Sequence, residues 1–325
     1  MSKLITPLLI AIFLSAAFSA ERRDIKLPEL SEWQIIKCDL HTHTVFSDGD
    51  VWPTLRVREA WQTGLDALAI TDHIEYLPHK DDLGKNHNRS YELALPSARG
   101  YLLTLIRGAE ITRDMPPGHL NALFIKDANA LNVKNWRDAI QAAAEQGAFV
   151  FWNHPGWRGQ QPEGVGKWYD EHEELLGKGW LHGIEVVNED EYYPEAHQWC
   201  LEKGLTLIGN SDIHGTIAEQ YGKSPADHRP MTLVLAKDNS ADAVKEALFA
   251  RRTVVYWRDQ LIGEAQYLSM IFDNAVKPAQ AVQLAHAKTA PLLLVNRTDL
   301  TFELTQGTCN AELTVPDKVT IPPAG

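Results

Sequence analysis

The sequence DLHTHTVFSDG at positions 39–49 joins the end of an apolar run to a series of side chains that bind metals. The apolar residues before it predict a buried strand, in which side chains two positions apart share a face. We therefore expect Asp39, His41 and His43 on one side of the chain. Two neutral imidazoles on one face form half of a site for a divalent metal, to which the carboxylate of Asp48 can add an oxygen ligand. One His-x-His pair is weak evidence alone, so the later segments decide the interpretation.

Apolar runs rich in β-forming residues alternate with amphipathic stretches along most of the chain. The predicted strands are 35–39, 67–71, 102–109, 120–125, 149–152, 183–187, 205–209 and 231–235. The predicted helices are 54–63, 133–146, 194–203 and 241–251, and glycines follow three of them at Gly64, Gly147 and Gly204. A repeated strand-then-helix order predicts parallel strands covered by helices, which means an α/β barrel or a doubly wound sheet.

Residues of the metal-binding type recur just after the ends of these strands. His73 follows the second strand, Glu110 the third, and His154 the strand at 149–152. Asp212 and His214 end another such run and stand two positions apart. An open sheet concentrates its site in one crevice, whereas a barrel gathers side chains from many strands around one rim. The barrel is therefore the better interpretation.

The two ends of the chain differ from the middle. Residues 1–20 place Lys3 before an apolar run and small residues, which is typical of a secretory signal peptide, so we expect an exported protein, periplasmic or secreted. The alternative is an uncleaved membrane anchor, for which the apolar run is short. Residues 252–325 break the alternation and predict a small antiparallel β unit. The expected organisation is a signal peptide at 1–20, a barrel at 33–258 and a β-rich appendage at 259–325.

The composition narrows the classes of partner. A hydrophobic content of 44% and a charged content of 23% are those of a soluble globular protein. Removing Lys3 with the signal peptide leaves 30 of 31 basic residues against 43 acidic ones, a net charge of −13. Such a surface repels nucleic acids and anionic membranes, so we expect neither a nucleic-acid partner nor a stable membrane anchor. Three widely spaced cysteines exclude a disulfide-dense scaffold, and Cys38 is expected to be a buried thiol. The oligomeric state is left open.

Five ordered motifs resemble those of the PHP (polymerase and histidinol phosphatase) family. They are HTH with SDG within 41–49, TDH at 71–73, GAE at 108–110, NHP at 153–155 and SDIHG at 211–215. The resemblance covers about residues 35–257. It implies an α/β fold of a particular kind, a distorted seven-stranded (β/α) barrel. It also implies a cluster of two or three divalent metal ions (Mn, Zn or Fe) at the C-terminal mouth, and the hydrolysis of phosphate esters.

The same resemblance implies which residues bind each ion. The implied groups are His41, His43, Glu110 and Asp212 for one ion, Glu110, His119 and His154 for a second, and Asp48, His73 and His214 for a third. Glu110 would bridge the first two ions. In the implied reaction a hydroxide shared between ions attacks phosphorus, so Glu110, Asp212 and His214 are also expected to be catalytic.

Other side chains near the rim are candidates for substrate binding. Arg113 and Arg158 follow Glu110 and His154 by three and four residues, and a guanidinium can grip a phosphate with two hydrogen bonds. Trp157 could stack on a substrate ring. We also expect Asp39 to fix the orientation of the imidazole two residues further on. The group that protonates the leaving oxygen, a histidine or an aspartate at the rim, is left open.

The leading hypothesis is an exported, metal-dependent phosphoesterase that acts on a small organic phosphate ester. A second hypothesis keeps the metals but gives them an amidohydrolase-like, non-phosphate substrate; no lysine stands at a strand end where its carbamate could bridge two ions, which weighs against that variant. A third is a non-catalytic, metal-containing module whose appendage binds a glycan or a partner. The intact set of ligands argues against this third hypothesis.

Overall fold

The computed structural model describes residues 21–221, 228–279, 292–305 and 317–324. The expected signal peptide at 1–20, Cys309 and residues 312–315 of the expected appendage lie outside the described residues. Cys38 and Cys200 are buried free thiols, as predicted for Cys38. Within the described ranges, no helix combines the length and the apolar composition that crossing a bilayer requires.

One curled sheet contains most of the strands in the described residues. These are β1 (Gln34–Asp39), β2 (Ala67–Ile70), β3 (Thr104–Ile111), β4 (Leu120–Leu123), β5 (Phe149–Trp152), β6 (Gly183–Asn188), β7 (Glu191–Tyr192), β8 (Thr206–Asn210), β9 (Met231–Ala236), β10 (Thr253–Trp257) and β11 (Gln260–Gly263). Their order is β11-β10-β9-β1-β2-β3-β4-β5-β6-β7, and β8 pairs with β6. The α/β class is confirmed, and the count of seven barrel strands stays a prediction.

Helices cover the outside of this sheet. They are α1 (Pro53–Gln62), α2 (Lys80–Leu83), α3 (Arg89–Tyr101), α4 (Trp136–Glu145), α5 (Asp170–Gly177), α6 (Pro194–Lys203), α7 (Ile217–Tyr221), α8 (Ala241–Phe249) and α9 (Ala265–Ala275). Proline in the first turn starts α1 and α6, where its fixed φ suits the helix and its missing N–H has no intrahelical partner to lose. The side chain of Asn135 accepts a hydrogen bond from the backbone at the start of α4. The sequence pattern predicts neither α3, which has Pro96 inside it, nor α5 and α9.

Two of the eight predicted strands run against the predicted parallel direction. β4 is antiparallel to both β3 and β5, and β9 is antiparallel to both β1 and β10. The expectation of parallel strands is wrong for β4 because the connection at 112–119 is too short for a crossover helix. Since β4 is reversed, its first residue lies at the rim where β3 and β5 end. His119, just before β4, therefore reaches the same rim as Glu110 and His154.

The sheet curls until β8 lies against β9 and β10. Side chains join these strands: the Thr232 hydroxyl on β9 accepts from the Gly209 N–H at 3.0 Å and lies 2.9 Å from the Gly209 carbonyl, to which it donates. The Thr253 hydroxyl on β10 donates to the carbonyl of Leu207 at 2.8 Å. Glycine is required at 209, because a Cβ there would lie 2.2 Å from Cγ1 of Val255. Close packing of β8 on β10 thus brings the two ends of the sheet together.

The described residues of the C-terminal part contain four further strands in two antiparallel pairs. β12 (Val276–Ala279) pairs with β13 (Leu293–Asn296), and β14 (Phe302–Thr305) pairs with β15 (Lys318–Ile321). Antiparallel pairing agrees with the expectation for this segment, and α9 packs beside it as an addition that the sequence pattern does not predict. Asp299 ties this part to the N-terminal segment, since its carboxylate accepts from the Lys26 N–H at 2.7 Å.

Candidate metal centre

Three groups of histidines and carboxylates converge at the rim of the sheet. They are His41, His43 and Asp212; Glu110, His119 and His154; and His43, Asp48, His73 and His214. In each group one ligand atom per residue lies within 4.8 Å of all the others. The structure therefore brings together all nine residues that the resemblance implies as ligands. The grouping differs in two details, because His43 faces the third group as well as the first, and Glu110 is grouped with His119 and His154 and not with His41.

Glu110, at the end of β3, lies where these groups meet. One of its oxygens, Oε2, is 3.2 Å from His41 Nε2 and 3.3 Å from His43 Nε2. The other, Oε1, is 2.7 Å from His119 Nδ1 and 3.8 Å from His154 Nε2. The side chain is 1% exposed. This carboxylate faces two groups of ligands at once, which is the geometry that a bridging role requires.

Hydrogen bonds on the outer side of each imidazole determine which nitrogen faces the centre. The Nδ1–H of His41 donates to the Glu185 carboxylate at 2.9 Å, so its neutral ring presents a lone pair at Nε2. His43 Nδ1 lies 3.3 Å from the Ser47 hydroxyl, which itself donates to Asp72 and so accepts from the ring. Both Nε2 atoms consequently point inward as acceptors.

The inward atoms fit a bound cation. The Nε2 atoms of His41 and His43 are 3.1 Å apart, and each is 3.0 Å from the same oxygen of Asp212. Among the described residues, Asp48 Oδ1, Glu110 Oε1 and Asp212 Oδ1 are buried oxygens with no aligned hydrogen-bond donor. Buried acceptors without donors are costly unless positive charge neutralises them. The set of nitrogen and carboxylate donors is the one that Zn²⁺, Mn²⁺ or iron takes in proteins.

The third group is held by a different set of contacts. His73 Nε2 and His214 Nε2 each lie 3.3 Å from Asp48 Oδ1. His214 Nδ1–H donates to the backbone carbonyl of Asp212 at 2.7 Å, which leaves its Nε2 free of a proton in the neutral ring. His73 Nδ1 is 2.6 Å from the Thr112 hydroxyl. Two imidazoles and one carboxylate thus face a common point beside Glu110.

Attraction between the carboxylates and the imidazoles determines the ionisation of this cluster. Burial by itself would raise the pKa of Glu110 and Asp212, but the neighbouring imidazoles hold the pKa of both well below the ordinary range. Burial likewise lowers the pKa of His214, yet the close Asp48 carboxylate and the charge of Asp212 outweigh it and raise that pKa to about 9. The carboxylates are therefore stabilised by nearby positive charge, which protonated imidazoles provide in the absence of a metal.

Asp39 does not contact the imidazole of His41, and that expectation is wrong. Its carboxylate accepts from Arg229 at 2.9 Å and from the Ser211 backbone N–H at 3.2 Å. The regular strand ends at Asp39, so the two-residue alternation does not continue to His41. Glu185, on β6, is the partner instead. A carboxylate inside the apolar run of β6 is the sequence signal that could have revealed it, because a buried charge needs partners.

A buried arginine holds the ligand segments together. The guanidinium of Arg56, on α1, donates to the backbone carbonyls of His43 and His214, both at 3.0 Å. It also pairs with Glu59 at 2.9 Å, and Glu59 accepts from the backbone N–H of Ile217 at 3.1 Å. Arg56 thereby joins the loop after β1 to the loop after β8, a function that the sequence analysis missed.

Seven of the nine candidate ligands line a cleft of about 820 Å³. Trp157 and Arg158 line it, as expected, and so do Tyr76 and Tyr193. The ring centroid of Trp157 is 5.5 Å from those of both His119 and His154. Trp157 is 45% exposed, so its face is accessible beside the ligands.

Arg113 is not among the residues that line this cleft, and its contact with a phosphate stays a prediction. Its guanidinium pairs with Glu75 at 2.7 Å and donates to the backbone carbonyl of Val133 at 2.7 Å. Both partners hold the side chain in place beside the cleft. The distance in sequence from Glu110 places the backbone near the rim but does not determine where the side chain points.

Comparisons with known proteins define the class. The PHP domain family matches residues 39–218, and this chain belongs to that family. A crystal structure from Bacteroides vulgatus, of a two-domain protein containing a predicted PHP-like metal-dependent phosphoesterase, is 46% identical with a TM-score of 0.90. The match covers 94% of this chain and 88% of that one. An uncharacterized protein of Methanocaldococcus jannaschii is 41% identical over 58 residues, which span 18% of this chain and 27% of that relative.

Proposed function

We propose that this protein is a hydrolase, a metal-dependent phosphoesterase that cleaves an organic phosphate ester with the help of two or three divalent cations. The observation that supports this most is the convergence of three ligand groups around Glu110 beside one cleft. Membership of the PHP family and the likeness to a PHP-like phosphoesterase point the same way. Mn²⁺, Zn²⁺ and iron suit the imidazole and carboxylate donors.

Each part of the centre has a proposed task. Bound divalent cations would lower the pKa of water and neutralise the charge of the phosphate. Glu110 belongs to the second ligand group and also faces His41 and His43 of the first, so it would hold these two groups at a fixed separation. Asp212 and His214 link the first group to the third. Trp157 and Tyr76 wall the cleft next to the ligands, and Arg158 is the proposed contact for a phosphate oxygen.

The charge of the outer cleft supports a small substrate. Asp114, Glu189 and Glu191 line it together with Arg158, so acidic groups outnumber this basic one. A polyanion that extended beyond one phosphate would be repelled there. We propose an ester of a single phosphate with a neutral or cationic alcohol, and no nucleic-acid partner.

Activity with and without metal tests the proposal. Purified protein should hydrolyse p-nitrophenyl phosphate in the presence of Mn²⁺ or Zn²⁺, lose this activity with a chelator and regain it when metal is restored. His197→Gln is a matched control, because this histidine contacts Tyr192 outside the cleft. Metal-dependent hydrolysis of p-nitrophenyl acetate without any phosphatase activity would favour the non-phosphate alternative. Bound metal without either activity would favour a binding module.

Export and domain organisation are further proposals that rest on the sequence. We propose that residues 1–20 are removed as a signal peptide, that 33–258 form the catalytic barrel, and that 259–325 form an appendage. Mass spectrometry of the protein recovered from the periplasm or the medium tests the first of these. A mature protein that still begins at Met1 would refute it.

A further inference from the structure

Glu185 is a fully buried carboxylate that binds no cation in the proposed centre and receives four hydrogen bonds. Its Oε1 accepts from His41 Nδ1–H at 2.9 Å and from the Asn210 amide at 2.8 Å. Its Oε2 accepts from the His154 backbone N–H at 2.7 Å and from the Asn188 amide at 2.8 Å. His41 belongs to the first ligand group and His154 to the second. One side chain therefore contacts both groups from behind.

We propose that Glu185 is a positioning residue that fixes the tautomer of His41 and the backbone of His154, and so sets two metal-binding groups relative to each other. The proposal rests on the metal-binding function proposed above. It assigns to β6 a role that the set of nine ligands does not contain.

The Glu185 carboxylate determines which ring nitrogen of His41 is available to bind a metal. A carboxylate has no hydrogen to donate, so the ring nitrogen that faces it must carry the proton. This leaves the Nε2 lone pair directed at Asp212 and Glu110, whose oxygens lie at 3.0 and 3.2 Å. Carboxylate partners of this kind keep a metal-binding imidazole in one orientation and raise its basicity.

At His154 the carboxylate holds the main chain. The residue has a φ of +27°, a value that few residues other than glycine adopt. Such a conformation persists only where surrounding contacts hold it. The N–H of His154 donates its hydrogen bond to Glu185 at 2.7 Å and supplies one of those contacts. Its ring is consequently directed at Glu110 and Asp212.

The side-chain amides of Asn210 and Asn188 can only donate to Glu185. Asn210 Oδ1 accepts from the Leu40 N–H at 2.8 Å, so its NH₂ group must face Glu185. Asn188 points its NH₂ group at Glu185 and at Asp212, 3.3 Å away. Every neighbour of Glu185 is thus a donor, and only a group with acceptors on both sides satisfies all of them.

Glu185→Gln tests this requirement with almost no change of shape. Glutamine brings one acceptor and one donor to a place with donors on both sides. The His154 N–H cannot change its role, so the glutamine oxygen should face it and the NH₂ group should face His41. His41 then either loses its Nδ1 hydrogen bond or turns to the tautomer with a proton on Nε2, which leaves no lone pair on the nitrogen that faces the centre. We expect zinc affinity at the His41 group to fall by roughly 10- to 100-fold.

Two measurements test the proposal, an NMR signal of the imidazole proton and the affinity for zinc. In the zinc-loaded wild type, ¹⁵N-histidine labelling should show a slowly exchanging Nδ1–H, assigned to His41 by its loss in His41→Gln. Glu185→Gln should lack this signal, whereas Glu185→Asp, which keeps the charge, should retain it and recover part of the zinc affinity. Asp39→Asn is the matched control, because it alters an equally buried carboxylate that contacts Arg229 and not the imidazole. It should lower stability and leave the signal in place.

Different results would overturn different claims. A wild-type protein that binds no zinc would overturn the proposed function together with this inference. Zinc affinity and an Nδ1–H signal in Glu185→Gln equal to those of the wild type would overturn the positioning role alone. If Glu185→Gln fails to fold, the wild type and Glu185→Asp still decide, because a zinc-loaded His41 without a proton on Nδ1 contradicts the inference directly.

Discussion

Glu110→Gln is the substitution that we expect to damage the metal centre most. It keeps the shape of the side chain and removes its charge at a position that is 1% exposed. The two oxygens of Glu110 lie 2.7 Å from His119 Nδ1 and 3.2 Å from His41 Nε2. The lost charge therefore belongs to two groups of ligands at once, while an amide oxygen remains available for coordination.

The distances give the size of the effect. Ligand atoms of the Glu110 group lie within 4.8 Å of one another, so a cation among them would be close to the carboxylate. Two unit charges about 4 Å apart attract by about 4 kcal/mol at an effective dielectric constant of about 20. A loss of that size is a factor of roughly 1,000 in a dissociation constant. A divalent cation makes this a lower bound, so we expect the loss of at least one metal equivalent and of nearly all activity.

Equilibrium dialysis against buffered zinc, followed by metal analysis, measures the first effect, and phosphatase rates measure the second. His119→Ala is the comparison, because it removes one neutral ligand whose place water can occupy, and it should lose less metal and less activity. Circular dichroism of both variants controls for folding. Equal metal content and equal residual rates in the two variants would show that Glu110 is not a bridge.

His41→Ala should lower bound metal and abolish turnover, whereas Asp48→Ala should deplete mainly the group that contains His214; wild-type metal stoichiometry in both variants would contradict the assignment. Gly209→Ala should destabilise the fold by about 1–3 kcal/mol, since a Cβ there meets Val255 at 2.2 Å; an unchanged urea midpoint would refute the close packing of β8 on β10. Chelator-treated protein should lose thermal stability as the pH rises from 6.5, the ordinary pKa of histidine, to about 9, the raised pKa of His214 in the folded protein. The protonated His214 stabilises the fold below pH 6.5, and this contribution is lost once the residue deprotonates above about pH 9. A melting temperature that rises over this range would refute that sign.

The sequence predicts the strands well because buried strands appear in it as short apolar runs. The strand at 149–152 and the helix at 194–203 have the predicted bounds, and most other strands differ by one or two residues. The direction of a strand could not be predicted in this way, since an apolar run has the same pattern in a parallel and in an antiparallel strand. The short connection at 112–119 was the available clue that β4 turns back, and its reversal explains how His119 reaches the rim.

Side-chain partners across the fold could not be predicted in the same way. Glu185 lies 144 residues from His41 in the sequence, and no local pattern connects them. Asp39 is nearer in sequence but turns to Arg229, 190 residues away. The candidate ligands themselves were predictable because they stand in short ordered motifs. What holds the ligands in place depends on the packing of strands that are distant in the chain.

Backbone hydrogen bonds between ligand segments explain why single substitutions at this centre should be interpretable. The N–H of Asp212 donates to the carbonyl of His41 at 3.0 Å. His73, beyond the end of β2, forms a parallel bridge with Glu110 near the end of β3. The main chain therefore positions these residues, and their side chains do not have to hold the rim together. Replacing one ligand removes charge or a lone pair without releasing the segment that carried it. The contrast with Glu185 is then informative: its side chain supports both a ring and a strained backbone, so its loss should move ligands that remain chemically intact.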